Sequence, residues 1–421
     1  MIIAEEYPKH WQARRIEDVI KDVKSGFAIN KNKLLTKGVP QLRPYNITAN
    51  LALDLSRLVY VPHTPDIESY FLRVGDVLFN NTNSKELVGK TAIATNNLDA
   101  CYSNHIYRIR VNESIIEPMW FALWIQRYWT MGKFFEICRR WIGQAGVNLR
   151  MLKELEILVP PLQEQRKMID RIKNLMISIE ELKKLRISAI IESEAVMHSL
   201  MSSIFDETFE TTNENIELSR CFNRIGSGTT PRKGADNYVE NGVPFIKVEH
   251  ITKDGRVQVT QENPRINRKL HETVMKRSQV SGKSILVNIV GPPLGKVGLI
   301  SDDIKEANIN QAIVALRDPT SVTPEFVWYC LRSPKYNQKL KDLGIGIRQA
   351  NINISQIREF KIPVPAISVQ NQIVYKLNDV RMFVENLISF QRDSMNRIEA
   401  LNPSILDAMS KGRLLYDGSD A

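Results

Sequence analysis

The sequence predicts an α+β (mixed α/β) protein: two pseudo-repeated globular domains joined by two long antiparallel helices that form a coiled-coil spacer. Three observations predict it. A long motif recurs at a nearly constant offset. Two helical stretches carry apolar seams in the same register. Short alternating runs and one amphipathic helix occupy matched positions in each copy.

An internal repeat dictates the whole fold. "IGQAGVNLRMLKELEILVPPLQEQ" (142–165) matches "IRQANINISQIREFKIPVPAISVQ" (347–370). Gln144 falls on Gln349 and Gln165 on Gln370, both at an offset of 205 (349 − 144 and 370 − 165). Upstream, "KGVPQLRPYNIT" (37–48) matches "NGVPFIKVEHIT" (241–252). The expected boundaries are 1–157 for the first globular domain, 158–208 for the central helix, 209–362 for the second domain and 363–421 for the C-terminal helix.

Within each copy, "KTAIAT", "HIYRIRV", "KVGLIS" and "AIVALR" alternate like strands. "EPMWFALWIQRYWTMGKFFEIC" and "TPEFVWYCLRSPKYNQKLKDL" read as amphipathic helices whose aromatics face a core. Gly89-Lys90-Thr91 resembles the tail of a phosphate-binding loop. Such a loop needs an earlier glycine to curl its amides around phosphate, and Ser84 stands there. In the matching "PLGKVGLI", Val297 replaces the magnesium-binding hydroxyl. Both segments run on into strand-like alternation, so the spacing predicts a hairpin turn that presents a lysine.

The first seam runs through Ile172, Leu175, Ile179, Leu182, Ala189, Val196 and Leu200, in steps of three and four. The second runs through Leu377, Val380, Val384, Leu387, Ser394, Leu401 and Ile405. Each stretch covers about 40 residues, or roughly 60 Å. Pro403 should kink or restart the second helix.

The chain has 421 residues, enough for two or three domains. Hydrophobic content of 43% and charged content of 25% suit a globular protein that buries real cores. A net charge of +10 favours polyanionic partners, nucleic acid first. No apolar run approaches a membrane span, and the N-terminus lacks the pattern of a secretory signal. The four cysteines are scattered without a Cys-x-x-Cys pair, so the expectation is a cytoplasmic protein with reduced thiols and no structural zinc.

Two similar domains on a rod make a caliper, and duplex DNA is the object it fits. Phosphate contacts need Lys and Arg, and base edges need bidentate polar side chains. The candidates in the first copy are Lys31, Lys33, Arg43, Asn46, Asn81, Asn83, Lys85, Lys90, Gln144 and Asn148. In the second they are Thr229, Thr230, Arg232, Lys233, Lys247, Glu249, Asn288, Lys296, Gln349 and Asn353. The alternative for each residue is a solvated side chain or a turn former. The Pro-Pro segments "LVPPLQ" and "IVGPPLG" lack the polar first residue and terminal aromatic of an adenine-methyltransferase motif. No glycine-rich cofactor loop, paired-carboxylate nuclease cluster or Ser/His/Asp group stands out.

The "IGQAGVN…PPLQEQRKMIDRI" motif, its partner "IRQANIN…PAISVQNQIVYKL" and the segment "GSGTTPRKGADNYVENGVPFIKVEHIT" resemble the DNA-specificity subunit of type I restriction–modification systems. The resemblance covers nearly the whole chain. It implies a non-catalytic subunit whose target-recognition domains each read half of a bipartite DNA site. It implies a helical pair that sets the spacing and docks two modification subunits. S-adenosylmethionine, ATP and magnesium would then belong to the modification and restriction subunits, and this chain would hold no cofactor. Three other readings stay open: a coiled-coil scaffold without a DNA role, an enzyme such as a nuclease or nucleotide hydrolase with a dispersed site, and a specificity subunit of a methylation-only or other phage-defence system.

Overall fold

A computed structural model describes residues 7–212, 215–231, 237–346 and 350–415. The chain divides into two compact units, one of Met1–Arg186 with Asp393–Ala421 and one of Ile187–Arg392.

In the first unit, four strands form an antiparallel sheet in the order Ile20–Ser25, Ile106–Val111, Val77–Asn80, Thr91–Ile93. A smaller sheet orders Val59–Val61, Val39–Leu42 and Cys101–Tyr102, the last pair parallel. The helix Pro118–Thr130 is apolar nearly all round, and Trp120, Phe121 and Trp124 are fully buried. A helix with that pattern belongs inside a core. Pro118 opens it, where the missing N–H is harmless.

The second unit repeats the plan. Its four-stranded sheet runs Phe222–Ser227, Ile313–Pro319, Ile285–Asn288, Val297–Leu299. Its second sheet again contains a parallel pair, Phe245 opposite Asn308. The helix Pro324–Arg332 buries Phe326, Tyr329 and Leu331.

Two long helices complete the units. The first, Leu162–Thr211, has 50 residues. In the first unit its Met168, Ile169 and Ile172 join one core with Leu406 and Met409 from the C-terminal helix. In the second unit its Met201, Ile204 and Phe205 join another core with Leu377. The early part of one helix thus packs beside the late part of the other in the first unit, and the reverse holds in the second. The second helix spans Ile367–Glu399 and restarts as Leu401–Ser410. Pro403 lies in the first turn of the restart, where its ring does least harm.

The seams need one correction. Ile172, Ile179, Leu377 and Val384 are buried, and Val380, Leu387, Leu200 and Ile405 are half-buried. Leu175 and Leu182 are each 40% exposed, and Val196 and Leu401 are also exposed. After Ile172 the helix uses the four-residue step to Met176, which packs on the core, and leaves Leu175 on the flank of the buried face. A three–four alternation allows either step, and the globular core selects the wider face. In the second helix the buried positions are Gln370, Leu377, Val384, Gln391 and Ile398, one every seven residues.

A buried glutamine joins each long helix to its globular domain. The Gln165 side chain accepts the Glu117 N–H at 2.8 Å and donates to the carbonyls of Ile115 (3.1 Å) and Pro160 (2.7 Å). Gln370 repeats this with the Thr323 N–H (2.9 Å) and the carbonyls of Ser321 (3.2 Å) and Pro365 (2.8 Å).

Candidate nucleic-acid interface

The Gly-Lys segment is a hairpin in both copies. Asn80 and Asn288 close their strands, and the chain returns through Gly89 and Gly295 into Thr91–Ile93 and Val297–Leu299. Both glycines have positive φ, +92° and +71°, which side chains rarely adopt. The Asn80 carbonyl accepts from Gly89 N–H at 2.9 Å and that of Asn288 from Gly295 N–H at 3.1 Å. A strand follows each Gly-Lys pair, so its lysine lies on a sheet edge and not at the start of a phosphate-binding helix. Lys90 is half-buried, and burial pulls its pKa below the usual lysine range. Lys296 donates to the Ile251 carbonyl at 3.2 Å.

In the first domain this hairpin meets the repeated turn motif. Thr82–Asn83 pairs with Gln144–Gly146, which pairs with Arg139–Trp141. Val147 N–H also donates to the Asn81 carbonyl at 2.9 Å. Segments about 60 residues apart in sequence therefore share one edge, bringing together Asn83, Lys85, Gln144 and Asn148. Lys85 lies over the Phe135 ring at 3.2 Å, and Arg140 lies 5.6 Å from the same ring. In the second domain Val290 bridges Asn351, and Gly291 N–H donates to the Ala350 carbonyl, so the same two segments meet again.

Other candidates lie elsewhere. Lys31 and Lys33 are exposed on a short 3₁₀ turn capped by Asn30, beside the smaller sheet. Arg43 begins a second 3₁₀ turn and is half-buried. Thr229 accepts from Arg277 Nε at 2.8 Å, and Thr230 is exposed. Lys247 pairs with the exposed Glu249 at 3.5 Å. Asn148 and Asn353 are exposed and cap short helices, Asn148 accepting Met151 N–H at 2.9 Å. Arg232, Lys233 and Gln349 lie outside the described residues.

Three candidates belong to the framework. Asn46 is 1% exposed, accepts the Arg43 N–H and donates to the carbonyls of Asp54 and Arg57. Asn81 is buried, donates to the Asn104 carbonyl and accepts from Thr82. Asn288 is fully buried and donates to the Pro293 carbonyl. A buried amide engaged by neighbouring groups of the framework is turned away from a base edge.

The structure also adds residues that the candidate set lacks. Trp141 and Gln144 face each other across a two-residue turn formed by Ile142 and Gly143. Only Gly143 has positive φ (+76°), as in a type II turn. Ile142 is wholly exposed at the apex and Trp141 is 51% exposed beside it, with Arg139 and Arg140 exposed at its base. Trp141 Nε1 donates to Gln144 at 3.2 Å. An aromatic and an aliphatic side chain raised on a basic hairpin have the character of a duplex-contacting element. The signal in the sequence is "CRRWIG": two arginines, then apolar residues immediately before a turn glycine.

A family model described as the type I restriction modification DNA specificity domain matches this chain twice, over residues 8–193 and 212–391. The chain belongs to the type I restriction–modification DNA specificity family. A protein from Methanocaldococcus jannaschii named as the type I restriction enzyme MjaX specificity subunit is 26% identical, covering 97% of this chain and 95% of its own. The MjaVIII specificity subunit of the same organism is 21% identical over 97% and 93% of the two chains. Part of the EcoBI specificity subunit of Escherichia coli is 24% identical, over 51% of this chain and 43% of its own. Among solved structures, a chain of a type I R-M system described for complex assembly and conformational transition superposes with a TM-score of 0.73, at 20% identity, covering 97% and 99% of the chains. The HsdS subunit from Thermoanaerobacter tengcongensis gives 0.56 at 19% identity, over 98% and 100%. The fold is that of these subunits. The family supplies sequence specificity to an assembly whose catalysis lies in other subunits. No described helix is long and apolar enough to cross a membrane.

Proposed function

We propose that the two repeats each read one half of a bipartite site on duplex DNA, and that the long helices set the separation of the halves. The observation that carries this reading is the recurrence, in both domains, of one loop pair on one sheet edge. In the first it presents Asn83, Lys85, Gln144 and Asn148; in the second it includes Asn353 and Lys296. Lysines and arginines there neutralise phosphates, and the amides and the Trp141 hairpin approach the bases. The helices also dock two modification subunits. Ile191, Val196, Tyr375, Phe383 and Phe390 support this, because all are exposed and apolar on the long helices. Restriction subunits join that assembly. Methyl transfer from S-adenosylmethionine and magnesium-dependent ATP-driven translocation are the work of those partners, and this chain holds no cofactor. The complex acts on DNA in the cytoplasm.

The spacing tests the reading. Deleting seven residues around Ile179 together with seven around Val384 shortens both helices by about 10 Å. That is about three base pairs at 3.4 Å each. Methylome sequencing of cells carrying the shortened subunit should show a correspondingly shorter spacer between unchanged half-sites. An unchanged spacer sinks the ruler. Exchange of residues 211–360 for another recognition domain should change one half-site alone.

A further inference from the structure

The second domain contains a polar cavity of about 400 Å³ whose lining includes Arg224, His271, Lys283, Lys305, Glu306 and Arg317. Its character emerges by comparison with the same place in the first domain. Arg317 lies opposite Arg224, and the preceding Leu316 lies opposite Ile285. Arg110 lies opposite Asp22, and the preceding Ile109 lies opposite Val77. Strand register therefore equates Arg110 with Arg317, Asp22 with Arg224, and Asp76 with Ser284. The turn before the strand agrees. Arg73 N–H donates to the Asp76 carboxylate at 2.8 Å, and Ser281 N–H donates to Ser284 Oγ at 3.3 Å.

In the first domain Arg110 is neutralised. It donates to Asp76 through Nε at 2.5 Å and Nη2 at 3.0 Å. Asp22, paired with Arg108, adds a second negative charge beside it. In the second domain both carboxylates are gone, replaced by a serine and by another arginine. Arg317 is nevertheless 8% exposed. Its Nη1 donates to the carbonyls of Arg277 (3.0 Å) and Gln279 (2.7 Å), and its Nε has no partner among the described residues. Burial holds its pKa below the usual arginine range, and Arg224 adds to that effect against the opposing charge of Asp318.

The neighbouring carboxylates are engaged. Asp318 pairs with Arg224, and Glu306 pairs with Arg268 at 2.5 and 2.7 Å. Lys283 lies 3.5 Å from Asp302 and 3.7 Å from Glu325. Lys305 donates to the Asp302 carbonyl. A desolvated guanidinium lacking a carboxylate is unfavourable unless an anion arrives. Its planar fork suits an oxyanion that can accept two hydrogen bonds.

We propose that this cavity binds a phosphate oxyanion, with Arg317 as its central ligand and Lys305 adding charge. Ser284 precedes the strand Ile285–Asn288, and the hairpin loop carrying Lys296 begins at its other end, about 13 Å along. That separation favours a free phosphate or the phosphoryl group of a nucleotide over the DNA backbone. The inference does not depend on which loops read DNA.

The test uses the full chain, inorganic phosphate, chloride at equal ionic strength, and a random-sequence duplex. Phosphate at a hundredfold excess over its dissociation constant should raise the melting temperature of the second unit by about 5–10 °C beyond chloride. Ser284→Asp restores the first domain's carboxylate. It should melt higher without phosphate and lose the phosphate response. Arg317→Met should lose the response by removing the ligand, and Ser284→Asp keeps the test decisive if that variant does not fold. A phosphate response lost in Ser284→Asp with duplex affinity unchanged supports the free anion. A Ser284→Asp loss confined to duplex affinity supports the same site with the DNA backbone as its source. A phosphate response equal to that of chloride with no loss of duplex affinity overturns the proposal, as does a response that survives Ser284→Asp.

Discussion

Replacing Gln165 by leucine tests how each long helix is fixed to its domain. The substitution keeps the bulk but strands one amide and two carbonyls in a site with no solvent exposure. Each buried unsatisfied group costs about 1–3 kcal/mol, and carbonyls with a second lone pair cost less. The three together cost about 3–6 kcal/mol. The added apolar surface returns about 1–2 kcal/mol. The net loss is about 2–4 kcal/mol, or about 5–15 °C in melting temperature for a unit of roughly 200 residues. Tryptophan emission separates the units, since Trp328 is the single tryptophan of the second and five lie in the first. In a Trp328→Phe background, urea unfolding followed by emission reports the first unit alone. Gln370→Leu should produce an equal loss in the second unit, read through Trp328 in a background lacking the other five. A loss below about 1 kcal/mol in both variants would refute the argument that these amides weld the joint.

Three further outcomes are expected. Trp141→Ala with Ile142→Ala should weaken duplex binding roughly five- to a hundredfold, as loss of a stacked base contact does. The salt slope should not change, because no phosphate contact is removed; a changed slope at equal affinity would count against a base-stacking hairpin. His250 Nδ1 accepts the Lys247 N–H at 3.0 Å, and burial depresses the ring's pKa below the usual 6.5. Its neutral form is the stable one, so this stability is present above pH 6.5 and is lost as pH falls through the depressed folded value. Asn46 makes the matching cap in the first domain, so His250→Asn should keep the fold and flatten the acid side of the melting profile.

Much of this architecture was legible because duplication writes each element twice. The matched Gly-Lys hairpins exclude a phosphate-binding loop more firmly than either does alone, and Pro403 marks the helix restart. Side-chain direction was less legible. Asn46, Asn81 and Asn288 have the composition of base readers, but their amides point inward to neighbouring framework groups, and that direction depends on strand register. Leu175 and Met176 satisfy the same apolar pattern, and only the shape of the core selects between them. Trp141 and Ile142 look like core residues until the Gly143 turn lifts them out. Arg317 reads as an ordinary strand arginine in the sequence, because only strand pairing sets it against Arg110.

The glutamine joints have an evolutionary consequence. Gln165 and Gln370 grip only peptide groups, which every sequence supplies, so the reading surfaces can be rewritten or traded between subunits without refitting the strut beneath them. A new DNA preference then demands no matching change at the seam, and a lineage can vary what it recognises while keeping how it assembles.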